Sequence, residues 1–486
     1  MSSCAIIRVS KRIQVTRKSK AILFILILSV LSCATVMVGQ FVPRDPGVRG
    51  GTIDAGQPLA SVAQTPGASD FFANGFGRFQ DVETVQGGPN TGLGPRFNSN
   101  QCSSCHSQPA VGGSSPSPTV FPMLGQNPET LVYNLNGQNG QNTLPPFITA
   151  DGPVREARFK FFLNGDGSLS NVPDGGVHDL FVITGRGDAG TCAIKQPDFD
   201  HHLALNNVSF RIPTPVFGSG LIENIADETI RSNMRSNDEL KEFLGISGHP
   251  NTNGNDGTIT RFGWKAQNKS LETFAGEAYN VEMGVTNELF QSERPSPDEA
   301  QQGGLPANCK LNLTPEDGTN FTASPDSAVP SDVVQFAMFM RLLAPPTPST
   351  TNPGGALSIA DGKRVFAAIG CALCHTPALG TAQSSVTPGL SQVNANLFSD
   401  LLLHHMGTKL ADGVSQGSAG PDEFRSAPLW GLGQRIFLLH DGRSRDLLDA
   451  IEQHASSGSE ANGVIRNFNR LTPQQQQDLL NFLRSL

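Results

Sequence analysis

The sequence predicts a mainly α-helical chain with many loops, built as two related domains of which the first is enlarged by insertions. Three observations carry that expectation. The pattern Cys-x-x-Cys-His occurs twice, as Cys102-Ser103-Ser104-Cys105-His106 and as Cys371-Ala372-Leu373-Cys374-His375. A turn of proline, two apolar residues and Gly-x-Gly follows each, with Pro215 109 residues after His106 and Pro428 53 after His375. Apolar residues at helical spacing flank the second motif, while 52 glycines and 34 prolines in 486 residues commit much of the rest to loops.

The chain begins with a targeting segment. Arg8, Lys11, Arg12, Arg17, Lys18 and Lys20 form a basic region, Ala21 to Leu31 is an apolar run, and Ser32-Cys33-Ala34 offers small residues for cleavage. Cleavage after Ala34 makes residues 1–34 a signal peptide. Val30-Leu31-Ser32-Cys33 also resembles a lipoprotein box, and Ala21 to Val38 is just long enough for a retained anchor, so both alternatives stay open. All three put the body in the periplasm or elsewhere outside the cytoplasm. Taking those six basic residues from 35 leaves 29 against 43 acidic ones, a net charge of −14. That excess disfavours nucleic acid and anionic lipid and favours a basic partner protein; membrane contact is expected only through an anchor or lipid.

Roughly 450 remaining residues ask for two or three domains. The first, residues 35–344, holds the first motif. Its two thiols are spaced to add to the vinyl groups of one porphyrin while the adjacent histidine binds iron. The second motif repeats this, so two covalently bound haem c groups are expected, on Cys102, Cys105, Cys371 and Cys374, with His106 and His375 as iron ligands. A Cys4 zinc site is the alternative, but zinc needs no histidine in the same place after both pairs. With Cys4 and Cys33 in the targeting segment, Cys192 and Cys309 remain; a disulfide between them is expected, two free buried thiols being the alternative. Asn251 to Gly257 has a trace of calcium-loop spacing, with one carboxylate and Phe262 where the last ligand belongs, so calcium is a further candidate.

Ser331 to Ala344 reads as a helix capped by Ser331, with Val333, Val334, Phe336, Ala337 and Met340 at helical spacing. Residues 345–355, rich in proline, threonine and glycine, read as a linker. Residues 356–486 resemble a small cytochrome c domain: a short helix from Asp361 to Gly370 leads into the second motif, and a terminal helix starts at Thr472-Pro473. The repeated turn extends the resemblance to two cytochrome c-like haem domains.

Several segments resemble the di-haem oxidoreductase family, distant relatives of the bacterial di-haem cytochrome c peroxidases; some members carry the label thiol oxidoreductase. They are Gly92 to Asn98 (GLGPRFN), Thr214 to Ile225 (TPVFGSGLIENI), Arg261 to Ala266 (RFGWKA), Glu282 to Asn287 (EMGVTN), Asp400 to Gly407 (DLLLHHMG), Pro428 to Gly431 (PLWG) and Leu439 to Arg443 (LHDGR). The resemblance covers most of residues 80–470. It implies that Glu282 is a distal proton shuttle at the first haem and that Trp264 lies between the haems; an ordinary surface glutamate and core tryptophan are the plain alternatives, and Met283 is a rival iron ligand. It also sets His454, in Leu447 to His454, where the relatives have a distal methionine, so His454 is the expected sixth ligand of the second iron. His404, His405 and Met406 are its rivals. Histidine in place of methionine lowers a haem's potential, so the second haem need not be a high-potential one. His440 is expected against a haem edge or propionate, Arg443 beside a propionate, and His178, His201 and His202 in loops, with a resting-state ligand of the first iron as their alternative.

The implied function is an extracytoplasmic, peroxidase-like oxidoreductase. Peroxide is reduced at the His106 haem, and a small donor protein, a cytochrome or cupredoxin, delivers electrons through the His375 haem. The alternatives are a non-catalytic electron-transfer cytochrome and an oxidase of a thiol or partner-protein side chain.

Overall fold

The computed structural model describes residues 41–50, 55–62, 65–115, 127–136, 141–384 and 387–486. The targeting segment, with Cys4 and Cys33, lies outside the described residues. No helix among the described residues is long and apolar enough to cross a membrane.

Helices form the frame, and those that bear on the site are α1 (Ala68–Arg78), α2 (Pro128–Asn136), α3 (Phe199–Ala204), α4 (Leu271–Met283), α5 (Asp332–Leu342), α6 (Gly355–Ala368), α7 (Leu447–Gln453) and α8 (Pro473–Ser485). Small antiparallel sheets join them, a departure from the mainly α expectation. β1 (Glu156–Phe159) pairs with both β2 (Val177–His178) and β3 (Val208–Arg211), and β4 (Leu403–His405) pairs with β5 (Glu423–Arg425). Strands this short carry too little alternation to register in a sequence.

Each motif is preceded by a helix and followed, much later, by one packed across it: α1 against α5, and α6 against α8. The two crossings use the same residue types. A Cβ on Gly75 of α1 would collide with the Gln335 carbonyl and Phe339 of α5; one on Gly362 of α6 would collide with the Asp478 carbonyl and Phe482 of α8. One turn further on, Phe79 and Phe366 pack on Phe339 and Phe482, with ring centroids 4.9 and 5.4 Å apart. The same two rings reach the motif histidines, at 5.9 Å from His106 and 6.5 Å from His375. The repeated turns complete the echo. Gly220 presses on the Arg341 carbonyl of α5, and Gly433 on the Arg484 carbonyl of α8.

Two apolar cores result. The larger takes in α1, α4 and α5 with Cys102; the other gathers α6, α7 and α8 around Cys371 and Cys374. Between α5 and α6 residues 343–354 are irregular. The α6 helix begins at Gly355, six residues before the expected Asp361, because α8 supplies partners for that extra stretch: Ser358 donates to Asp478 at 2.5 Å. Thr472 caps α8 in a capping box with Gln475. Ser331 does not cap α5. Its hydroxyl is buried without a partner, and the Asp317 carboxylate accepts from the Asp332 and Val333 amides at 2.8 and 3.1 Å instead. Cys192 and Cys309 form the expected disulfide.

Candidate functional site

The glutamate expected to act is positioned by two segments laced together. The α4 helix ends at Met283, and Gly284 turns the chain at φ 68°. A side chain there would also strike the Arg96 carbonyl and Gly94, so the position needs glycine twice over. Gly94 donates to the Met283 carbonyl at 2.9 Å, and the Asn98 amide to the Glu282 carbonyl at 2.7 Å. The Asn98 side chain then donates to Glu282 Oε2 at 2.8 Å. The carboxylate is fixed from behind.

Its front faces a cavity of about 1270 Å³, mouth included, whose wall also carries Cys102, Cys105, His106, Met283 and Trp264. His106 Nδ1 donates to the Gly113 carbonyl at 3.1 Å, which orients the ring, and the Thr214 backbone is the ring's other polar neighbour. Burial drives the His106 pKa down to about 4, so the imidazole is neutral, as a ligand must be. Met283 Sδ packs 3.7 Å from Cys102 Sγ. Trp264 Nε1 donates to the Ile212 carbonyl at 2.8 Å, and its own carbonyl accepts from Arg425 of β5 at 2.9 Å.

Burial, with the Glu156 charge adding to it, raises the Glu282 pKa well above the carboxylate range, while Asn98 and Arg158 pull the other way. A second acid in the same wall, Glu129, is one that sequence reasoning missed. Its carboxylate accepts from the Arg155 amide at 3.0 Å and from Asn127 at 3.1 Å, and burial pushes it up to about 8. Nothing local marks it: it is a first-turn glutamate of α2, where acids are ordinary.

The second motif has different neighbours. His375 Nδ1 donates to the Phe398 carbonyl at 3.0 Å, as His106 does to Gly113. Burial first and the nearby His454 second push the His375 pKa down to about 4. His454 caps α7, with Nδ1 donating to the Ala450 carbonyl at 2.7 Å, so its Nε2 is the nitrogen left for iron. Its rival His404 lies 3.7 Å from Cys374 Sγ, but both of its ring nitrogens are engaged: Nε2 with Asp400 at 3.1 Å and Nδ1 with Glu460 at 2.8 Å. Burial opposes its charge, yet Cys374 and Asp400 hold its pKa well above the usual value. Both nitrogens of this imidazole thus face carboxylates. His405 is half-exposed and pairs with Asp422, and Met406 packs in the cluster around Trp264.

His440 stacks on Phe424 at 4.3 Å beside Trp264, and Arg443 pairs with Asp441 at 2.6 Å. His178, His201 and His202 are not in loops: the first is in β2 and the others in α3, and His178 and His202 each stack on Phe159. None of the three lines the cavity. Asn251 to Gly257 is a hairpin turn whose one carboxylate, Asp256, is taken up by Thr258 and Lys269. A Cys4 zinc site is overturned: Cys102 packs on one core and Cys371 and Cys374 on the other, and among the described residues the four thiols form no cluster that could hold a metal ion.

In both motifs the thiols are free of disulfides and the imidazole has its Nδ1 tied to a backbone carbonyl, a donor set that fits haem. The family described as "Di-haem oxidoreductase, putative peroxidase" matches residues 161–486. The chain belongs to this family, and is thus a di-haem redox enzyme. The hydrazine synthase of Kuenenia stuttgartiensis is 14% identical, with 91% of this chain and 97% of that one covered at a TM-score of 0.32. A MauG-like protein associated with microbial copper homeostasis is 15% identical, with 56% of this chain and 90% of that one covered at a TM-score of 0.29. Likenesses so loose carry no argument about this chain. No curated protein matches it.

Proposed function

We propose that the protein is an extracytoplasmic di-haem c-type enzyme that reduces peroxide at the first motif, with electrons entering through the second. The observation that carries this reading is the fixed carboxylate of Glu282 in the same cavity as Cys102, Cys105 and His106. Haem held there supplies an iron able to bind and reduce an oxidant. Glu282 takes the proton from the near oxygen of peroxide and returns it to the far one, which makes that oxygen leave as water. Reducing one peroxide to two waters consumes two electrons and two protons, and Glu129 is the second acid in reach of the cavity. A pure electron carrier has no use for carboxyl groups raised in this way on its cavity wall.

The paired helix crossings and repeated turns support two cytochrome c-like domains, each with a covalently attached haem. At the second motif His454 is the sixth ligand, since His404 is committed to Asp400 and Glu460. Trp264 stands between the first cavity and β5, whose partner strand β4 carries His404 against Cys374, and so lies on the electron path. The basic and apolar leader and the Cys192–Cys309 disulfide favour an oxidising compartment. The acidic body favours a basic donor, a small cytochrome or cupredoxin.

The test is steady-state peroxide turnover with reduced cytochrome c as donor, using holoprotein carrying two haems. Glu282→Gln is expected to lower it by about 10²–10⁴-fold. Full activity in that variant removes Glu282 from the mechanism.

A further inference from the structure

Deeply buried arginines in this protein have carboxylate partners. Arg96 pairs with Glu299, Arg158 with Glu156, Arg211 with Asp412, Arg261 with Asp227 and Arg484 with Asp45. Arg425 and Arg435 break the pattern. They are 8% and 9% exposed, and neither forms an ion pair with a carboxylate of the described residues. Arg425 Nε donates to the Gly263 carbonyl at 3.0 Å, while Arg435 Nε and Nη2 have no hydrogen-bond partner. Two guanidinium groups close together and out of water, with only the Asp400 charge acting on Arg425 and none on Arg435, are among the costliest arrangements a fold can hold. An anion from outside the polypeptide resolves the imbalance.

Both arginines line a second cavity, set between the turns that contain Val216 and Trp430. That cavity shares Thr214, Val216, Gly263, Trp264 and Phe274 with the wall of the first-motif cavity. A ligand in the larger cavity that extends two carboxylates along this shared wall reaches the arginines, and the guanidinium fork suits carboxylates in pairs. Haem has two propionates.

We propose that Arg425 and Arg435 hold the propionates of the haem bound at the first motif. The inference rests on the di-haem reading and extends it. The arginines come from β5 and from the loop after the second repeated turn, so the first haem is gripped by the half of the chain that carries the second. The grip sits beside Trp264, whose carbonyl accepts from the Arg425 amide. Cations at the haem carboxylates disfavour the extra positive charge of ferric iron, and so raise that haem's potential.

The experiment is a spectroelectrochemical titration of the two-haem protein and of its Arg425→Gln and Arg435→Gln variants. The haems are assigned by a His454→Met exchange, which raises only the second potential. Each Gln variant is expected to lower the first haem's potential and leave the second in place. Unchanged potentials with two haems bound overturn this inference alone, and a shift confined to the second haem overturns its assignment to the first. A wild-type protein without haem overturns the functional reading instead. Where a Gln variant loses its haem, Arg435→Lys keeps the charge but not the fork. Its infrared redox difference spectrum, taken with haem labelled at the propionate carbons, must show labelled bands displaced from wild type, and bands in the wild-type position overturn the pairing.

Discussion

The same five-residue pattern stands in two unlike surroundings. Around Cys102 to His106 the wall of a cavity carries Glu129, Glu156 and Glu282, with Arg158 among them. Around Cys371 to His375 the nearby carboxylates are already engaged: Asp400 and Glu460 clamp His404, and His454 lies close to His375. On the proposed reading the motif decides where a haem is held, and its neighbours decide what that haem is able to do. On the same reading, an acid facing open space moves protons, whereas an imidazole facing the iron shuts the site. The sharpest way to break the comparison is to remove one carboxylate from each side. Glu282→Gln should cost about 10²–10⁴-fold in peroxide turnover, roughly 3–5 kcal/mol of transition-state stabilisation. Glu460→Gln should leave turnover within a few-fold. Comparable losses from both would mean that the two surroundings do not divide the work.

The next largest effect concerns what the halves share. Gly75→Ala and Gly362→Ala each drive a methyl group into a backbone carbonyl of the facing helix, which a flexible side chain cannot relieve. Each should destabilise the holoprotein by about 1–3 kcal/mol or more, read as a lowered midpoint in denaturant unfolding. A neutral result at one position and a large one at the other would show that only one half is braced this way.

The unlike parts respond differently to pH. Glu460 is held down to about 2, from 4.5, by His404 and Ser247 against the opposing effect of burial. Its contribution to stability is complete above pH 4.5 and is lost as pH falls towards 2. His404 is raised above 6.5, so its contribution is complete below pH 6.5 and is lost as pH rises through the raised value. The clamp therefore works best between pH 4.5 and 6.5. Thermal unfolding of Glu460→Gln against wild type should show a smaller loss on the acid side. The first cavity has the reverse sense: Glu129, pushed up to about 8, is neutral across that window and gains its charge only above it.

What could be read from the chain alone follows from how local each constraint is. Haem attachment needs thiols and imidazole within five residues, so Cys102, Cys105, His106, Cys371, Cys374 and His375 stand out at once. Glu282 and Trp264 were legible only through family resemblance, because the lacing of Gly94 and Asn98 onto α4 joins segments nearly two hundred residues apart. Glu129, Arg425 and Arg435 were not legible. Their meaning lies in burial and in the absence of a partner, and neither leaves a mark in spacing. The helix crossings fall between these cases: the glycine and the phenylalanine four residues later stand in both leading segments, but only the packing makes them matter.

The smallest effect separates the two closing helices, which look alike in sequence at their starts. Ser331 precedes α5 and Thr472 precedes α8, both good capping residues. Only Thr472 caps. Thr472→Ala should therefore cost about 1 kcal/mol, whereas Ser331→Ala removes a buried hydroxyl that has no partner and should cost nothing or stabilise slightly. The α5 cap is instead the carboxylate of Asp317, fourteen residues before Ser331, so Asp317→Ala carries the penalty that Ser331→Ala lacks. Denaturant midpoints of the three variants decide it. A Ser331→Ala loss equal to that of Thr472→Ala would mean that α5 is capped like α8 after all.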